Sequence, residues 1–345
     1  MTFKIITLAA SIEENIVNLF EDEYYDTGSI QVENARLRCW KAGGHGHQTF
    51  LNVVENSCNP GFVVLGQKLG KEKLFKYINS FGFGNKTNID LNGEGSGILF
   101  KLDKVGPVEL ATTSFGQGVS VTPIQQVTAI SAAINGGTLL KPYVVKRFLE
   151  PEVNSVVKEF KSIEIRRVIS EDTSNLVRFA LESVVANGTG RPAFIDGYRV
   201  GGKTGTAQKV KDGIYMIGNY IVSFIGFMPA DSPKIALYVA IDNPKGVVQY
   251  GGTVAGPIAR NIFKDVINAL NIEKRADGME KEYMFYDKKY IEVPEVIGMN
   301  LKDAKEKLKN FEIQYSGVGS IILEQSPNGG ERLLEGSKVR VLLGD

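Results

Sequence analysis

The sequence predicts an α+β protein: a helical subdomain beside an antiparallel sheet flanked by helices, followed by a small, separate α+β unit. Three observations carry this. Apolar residues recur with helical spacing through the first half of the chain. Three extended segments bounded by Gly, Pro or Asp turns lie together between Arg199 and Asp242. The composition then turns charged and poor in aliphatics before a second compact pattern begins. The expected division is therefore residues 1–270, a linker over 271–289, and a small domain over 290–345. A chain of 345 residues with 43% hydrophobic content has material for one large core and a satellite.

Residues 3–12 combine helix formers with apolar density and predict a buried helix. Residues 25–38 alternate polar and apolar side chains around turn signals, which predicts a hairpin. Helical patterns recur over 52–79, 124–135 and 174–186. Strands are expected over 199–209, 216–228 and 234–242, and an apolar helix over 256–270 packs on that sheet. In the small domain Asn300 caps a helix whose apolar face is Leu301, Ala304 and Leu308. Strand-like stretches follow at 312–315, 321–325 and 338–343.

The most specific chemical signal is Lys203-Thr204-Gly205-Thr206. Lysine supplies positive charge, the hydroxyls donate hydrogen bonds and glycine lets a ligand backbone approach, which together suit a strand edge that binds a carboxylate. Such a string arises by chance on the order of a few times per thousand chains of this length. Its companion is Ser57-Cys58-Asn59, where alternation can aim a hydroxyl and an amide into one cleft. Ser-x-Asn alone is weak, but here it follows the apolar run Phe50, Leu51, Val53 and Val54, and Pro60 ends that helix directly afterwards. Lys4 stands at the start of the first helical pattern.

Lys4, Ser57-Cys58-Asn59 and Lys203-Thr204-Gly205 follow one another in the order used by serine acyl-transferases with a Ser-x-x-Lys nucleophile. At these residues the chain resembles a class B penicillin-binding protein, a D,D-transpeptidase of bacterial cell-wall synthesis with a penicillin-binding-protein/serine β-lactamase-like fold. Thr113-Ser-Phe-Gly-Gln-Gly118 with Val121-Thr-Pro123 and Gln125, Asn187-Gly-Thr-Gly190, and Ser223-Phe-Ile-Gly-Phe-Met-Pro-Ala230 look like that family's blocks, in its order. Cys39-Trp40, His45-Gly46 and Ser57-Cys-Asn-Pro60 look most like its sporulation-type members. The end of the chain resembles a single PASTA domain, with Gln325-Ser-Pro327 and Glu335-Gly336-Ser337 at its usual turns.

The resemblance implies roles. Lys4 would be the general base, its pKa lowered by burial. Ser57 would relay a proton toward the leaving D-alanine nitrogen, and Asn59 would hold the donor peptide's amide. Lys203 would keep the cleft positive and order Ser57. Thr204 and Thr206 would bind the terminal carboxylate of a stem peptide or of penicillin, Gly205 giving it room, and the Thr206 N–H would supply half of the oxyanion hole. The partners implied are peptidoglycan stem peptides, β-lactams and a glycosyltransferase at the membrane. Catalysis in this family requires no cofactor.

The nucleophile position, three residues before Lys4, is Met1. A thioether forms no acyl ester, and losing the nucleophile costs serine acyl-transferases on the order of a millionfold in rate. The expectation is thus a chain inactive as given, derived by N-terminal truncation from a longer parent held at the extracytoplasmic face of the membrane. The underside of the helix over residues 3–10 is expected to be uncovered. The chain has no run of 18 or more apolar residues, so no signal peptide or anchor is read.

Both histidines of the chain lie in a Cys-x5-His-x-His cluster of Cys39, His45 and His47. Glycines at 43, 44 and 46 allow the backbone to turn both imidazoles to one side, and such ligands suit a structural zinc ion. Asp26 is the first choice for a fourth ligand and Cys58 the second. Two other readings stand beside zinc: a simple turn with Cys39 as a small buried side chain, and a Cys39–Cys58 disulfide.

Lys plus Arg total 40 against 39 for Asp plus Glu, a net charge of +1 that offers no electrostatic case for nucleic acid. Three function classes remain: a D,D-transpeptidase module, a serine β-lactamase or D,D-carboxypeptidase, and a non-catalytic wall-binding protein. The PASTA-like end favours a biosynthetic protein over a secreted hydrolase.

Overall fold

The computed structural model describes residues 2–211, 213–281 and 288–345, which form two compact units divided between Lys281 and Glu282. The sequence position assigned to the nucleophile, Met1, lies outside the described residues, as does the stretch 282–287 of the charged segment.

The first unit opens with α1 (Lys4–Glu13). Every residue from Lys4 to Ile12 is buried, because the helix is apolar nearly all round and is packed by its neighbours on each side. Among the described residues, the helix therefore has no uncovered underside of the kind expected from the sequence. Two short antiparallel pairs follow: β1 (Glu23–Asp26), β2 (Ser29–Val32), β3 (Ala35–Arg38) and β4 (Gly46–Thr49), with β1 on β4 and β2 on β3. The hairpin expected over 25–38 is β2–β3, and β1 with β4 encloses it as a second pair that reaches to Thr49. Helix α2 (Phe50–Glu55) starts at Thr49, whose hydroxyl caps the Asn52 N–H while the Asn52 side chain returns to the Thr49 N–H.

The helical pattern over 52–79 breaks after α2, and α3 (Asn59–Ser80) restarts with Pro60 in its first turn. Pro60 opens this helix rather than merely closing the previous one, as its fixed φ and missing donor allow. Gly70, with φ of 75°, kinks α3. Helices α4 (Pro107–Ser114) and α5 (Pro123–Ile134) complete the layer around α1. A peripheral region then contributes β5 (Thr138–Lys141), β6 (Arg147–Leu149), β7 (Val156–Glu159) and β8 (Ile163–Arg167), pairing β5 with β8 and β6 with β7.

Helix α6 (Glu171–Ala186), capped by Ser170, leads to the main sheet of β9 (Gly201–Lys211), β10 (Ile214–Met228) and β11 (Ile235–Asp242). The sheet is antiparallel in the order β11-β10-β9. Helix α7 (Gly251–Leu270) lies on it and begins five residues before the apolar pattern suggests, because Gly251 and Gly252 carry no periodic signal. The charged stretch after α7 stays with this unit: Ile272 is buried in the core under α7, and the Arg275 side chain meets Asp231 and Asp277.

The second unit holds β12 (Tyr290–Glu292), α8 (Leu301–Lys307), β13 (Glu312–Gly317), β14 (Ile321–Ser326), β15 (Arg332–Leu334) and β16 (Lys338–Gly344). Its sheet runs β13-β16-β14, parallel on one side and antiparallel on the other. Asn300 caps α8 through the Asp303 N–H, and Val293, Ala304, Leu308, Ile322 and Val339 fill a core of its own.

Candidate active site

The break between α2 and α3 places Ser57-Cys58-Asn59 at a helix–helix corner. Ser57 has φ of 53°, a left-handed conformation that costs a non-glycine residue about 1–2 kcal/mol and that turns its hydroxyl toward α1. Lys4, at the first position of α1, is fully buried and reaches this corner. Its Nζ lies 2.7 Å from the Ser57 carbonyl, 3.1 Å from Ser57 Oγ and 2.7 Å from Asn59 Oδ1. The Asn59 amide donates to the Arg38 carbonyl at 3.1 Å, which fixes which way its oxygen points. Thr7, one turn further along α1, donates to the Ser114 carbonyl and locks the helix against α4.

The Lys203-Thr204-Gly205-Thr206 segment lies on the edge strand β9, paired with β10 so that Gly205 opposes Ser223. Gly205 is required by close approach: a Cβ there would come within 2.5 Å of Ser223 Oγ and 3.2 Å of the Thr2 nitrogen. The start of the chain is thereby seated against this strand. Thr204 Oγ1 donates to Thr189 Oγ1 at 3.0 Å, and Thr206 Oγ1 accepts from the Gly251 N–H at 3.1 Å. Gly251 is the first residue of α7, where unpaired N–H groups and the helix dipole favour an anion. A Cβ on Gly251 would lie 2.3 Å from the Gly205 carbonyl and 2.4 Å from that of Ser223, so only glycine brings this helix end so near.

Electrostatically the cleft holds two fully buried lysines. Burial lowers the Lys4 pKa from 10.5 to about 7, with Cys58 and Cys39 opposing. Lys203 is pushed well below its ordinary range by burial and then by Lys4. Its Nζ is buried without a hydrogen-bond partner among the described residues, so Ser57 is held by Lys4 and not by Lys203. Three acceptors around Lys4 Nζ satisfy an ammonium completely; a neutral amine would instead offer a lone pair to the Ser57 hydroxyl.

Behind this corner, Asp26, Cys39, His45 and Cys58 bring one ligand atom each within 4.8 Å of one another. His45 Nδ1 is 2.9 Å from Asp26 Oδ2 and 3.3 Å from Cys39 Sγ, and the Cys58 thiol is 3.3 Å from the same carboxylate oxygen. Both cysteines are free. Burial alone would raise the Asp26 pKa, but hydrogen bonds from His45, Gly28 and the thiols bring it to about 2. Hydrogen bonding from Cys58 pulls the Cys39 thiol down, and the same contact with burial pushes Cys58 up, so one thiolate is favoured in the pair.

His47, proposed from spacing as a ligand, is outside this cluster. Its side chain is 79% exposed, packs edge-on to Tyr25 and faces Glu23 at 4.0 Å. Gly46 between the two histidines has φ of 71°, and this left-handed turn sends His45 inward and His47 outward. Cys58, the second choice, takes its place.

Spacing also gave no sign of Thr189 and Glu55. The Thr189 N–H and hydroxyl both reach the Glu55 carbonyl, at 2.9 and 3.2 Å, and the Glu55 carboxylate accepts from Asn52 and Ser183. This chain of contacts links α2, α6 and Thr204. The Asn-Gly-Thr-Gly block was visible in the sequence, but not its partner.

Comparison with known proteins agrees with this geometry. The family described as penicillin binding protein transpeptidase domain matches residues 2–264, and the PASTA domain matches residues 291–345. Stage V sporulation protein D of Bacillus subtilis is 62% identical over 342 residues, which is 99% of this chain and 53% of that protein. Penicillin-binding protein PbpB of Mycolicibacterium smegmatis is 32% identical over 286 residues, 79% of this chain and 43% of the relative. The chain therefore spans about half the length of the curated relatives it matches. The crystal structure of penicillin binding protein 3 from Mycobacterium tuberculosis complexed with ampicillin superposes with a TM-score of 0.74 at 29% identity, covering 82% of this chain and 65% of that one. With its Lys4–Ser57–Asn59 corner facing a Lys-Thr-Gly-Thr strand, and with matches of this extent, the chain belongs to the penicillin-binding protein family of peptidoglycan D,D-transpeptidases and carries a PASTA domain.

Proposed function

We propose that the chain is the peptidoglycan D,D-transpeptidase module of a cell-wall synthesis protein, joining stem peptides through a serine acyl-enzyme and binding β-lactams at the same site. The observation that carries this reading is the convergence of buried Lys4 on Ser57 and Asn59. Neutral Lys4 takes the proton of a serine at the position three residues before it, the freed oxygen attacks the carbonyl carbon of the penultimate D-alanine, and the Thr206 N–H steadies the oxyanion. Lys4 and Ser57 then pass the proton to the departing D-alanine nitrogen, while Asn59 holds the donor amide. Thr206, which accepts from Gly251 and keeps its own hydroxyl proton, and Thr204, once its hydroxyl turns from Thr189, take the ligand carboxylate beside the start of α7, and Lys203 supplies positive charge when that carboxylate is bound. Met1 holds the nucleophile position in this sequence, so acylation requires serine there.

The module would work at the extracytoplasmic face of the bacterial membrane beside a glycosyltransferase. Among the described residues no helix is long and apolar enough to cross a membrane. The family's acyl chemistry needs no cofactor; a zinc ion held by Asp26, Cys39, His45 and Cys58 would be structural, bracing the loop that presents Ser57 and Asn59. The donor set fits zinc, since it offers one thiolate, a second thiol, a carboxylate and a buried imidazole whose Nδ1 faces the carboxylate and the Cys39 sulfur.

Calorimetric titration of the chain with a penicillin tests the site without requiring acylation. Reversible binding that weakens at least about tenfold in Thr206→Val is expected, the loss of one charge-assisted hydrogen bond. A folded chain with no measurable binding overturns the reading.

A further inference from the structure

We infer that the cavity between the end of α3, one face of α5 and the β5–β8 pair is a second ligand site, built for a phosphate ester. Its lining shares no residue with the Lys4, Ser57 and Lys203 cleft, so the inference does not rest on the transpeptidase reading. The cavity holds about 370 Å³, within the ordinary range for a small-molecule site.

Its floor is apolar and its frame is fixed. Phe81, at the end of α3, and Leu139, on β5, are buried, and Pro142 and Ile165 extend the apolar surface they start. Gln125 on α5 is 1% exposed, and its amide donates to the carbonyls of Asn85 at 2.7 Å and Ser96 at 2.9 Å while its oxygen accepts from the Thr122 N–H. The loop after α3 is thereby pinned to the helix before any ligand arrives. Thr128, one turn further along α5, lines the same cavity, and its Oγ1 is buried with no hydrogen-bond partner among the described residues. Leaving a buried hydroxyl unpaired is costly, and this one has a proton to offer a ligand oxygen.

The charge lies around that floor. Strand β8 carries one residue more than β5 between the pairs Leu139–Arg166 and Leu140–Glu164, and the extra residue is Ile165. Regular alternation would put Ile165 and Arg166 on opposite faces, whereas the bulge lets both line the cavity. Lys86 on the loop and Lys141 at the end of β5 line it as well, so three cations and no carboxylate border the apolar floor. None of the three side chains is hydrogen-bonded or ion-paired among the described residues. The carboxylates that feel Lys86 and Lys141, those of Glu94 and Asp90, are turned to the backbone N–H groups of Thr87 and Asn88 and of Val144 and Val145. A guanidinium fork with two ammonium groups suits phosphate, and the apolar floor gives the body of an ester a place that free phosphate would leave empty.

Calorimetric titration of the 345-residue chain tests this with phenyl phosphate, and with inorganic phosphate and phenol as its two halves. Phenyl phosphate is expected to bind at least about tenfold more tightly than either half. Replacing both outer cations, Lys141→Gln with Arg166→Gln, should weaken it by about tenfold or more, and Thr128→Val by about threefold, with circular dichroism confirming that each variant is folded. Thr206→Val should leave the affinity unchanged, as should saturation with benzylpenicillin. Methyl phenyl phosphate separates two sources of the ester: tighter binding of the monoester points to a soluble phosphomonoester, and equal or tighter binding of the diester points to a phosphodiester-linked polymer. The inference is wrong if neither ester binds the folded parent chain, or if the double variant and Thr128→Val both bind as the parent does. It is also wrong if Thr206→Val or benzylpenicillin abolishes binding, because the ester would then occupy the transpeptidase cleft.

Discussion

Lys4 and Asn59 are joined by a 2.7 Å hydrogen bond across 55 positions of sequence, and the lysine that makes it is fully buried. Burying an amine there has a measurable consequence for stability. In the folded chain Lys4 releases its proton near pH 7, whereas unfolded it holds the proton to its ordinary value of 10.5. Between these values the unfolded state binds more protons, so stability rises with pH, by up to about 1.4 kcal/mol per unit for one such group. Lys203 is displaced in the same direction and adds with the same sign. Denaturant melts from pH 7 to 9 should show this rise, and Lys4→Met should flatten it. An unchanged slope in the variant would mean that Lys4 does not titrate in that window.

Gly251→Ala should destabilise the chain by about 1–3 kcal/mol, because the new Cβ meets two backbone carbonyls that cannot swing away. Since the Gly251 N–H holds Thr206, the same variant should weaken penicillin binding. Thermal melting and titration check both; a variant with parental stability and affinity would show that α7 can withdraw without loss.

Thr189 orients Thr204 from the Glu55 carbonyl. Thr189→Val should reduce the affinity for a carboxylate-bearing ligand by about three- to tenfold, the worth of a typical hydrogen bond, and Thr189→Ser should restore it. Comparing the ligand with its methyl ester separates carboxylate recognition from general damage, because the ester should lose little.

The cluster beside Ser57 should carry close to one zinc ion per chain. Cys39→Ser and Cys58→Ser should each release it, while His47→Ala should retain it, since His47 faces solvent. Elemental analysis without chelator decides this. An empty parent chain would leave Asp26, Cys39, His45 and Cys58 as a hydrogen-bonded corner only.

The candidate site side chains were legible in the sequence from Lys203-Thr204-Gly205-Thr206, whose residue types are rarely found together, and from the setting of Ser57-Cys58-Asn59 at a helix break, in chain order after Lys4. The first helix was legible from its apolar density and helix formers. What could not be read are contacts made only by closure of the fold. Glu55 meets Thr189, and Trp40 meets Tyr250, across more than a hundred residues, with nothing local to say which residue each would meet. The start of α7 was missed for the opposite reason: Gly251 and Gly252 are selected by close approach and leave no hydrophobic period. Cys-x5-His-x-His misled because counting ignores the sign of φ, and a single left-handed glycine at 46 separates the two imidazoles.

Covalent labelling with a fluorescent penicillin tests most directly the claim that this cleft is a serine transpeptidase site with Lys4 as base. The chain as given, with Met1, should remain unlabelled. Met1→Ser, expressed behind a preceding segment so that the serine lies within the chain, should be labelled at that residue, and adding Lys4→Ala should abolish the label. A stable adduct on the Met1 chain, or a folded serine variant that takes no label, would contradict the assignment.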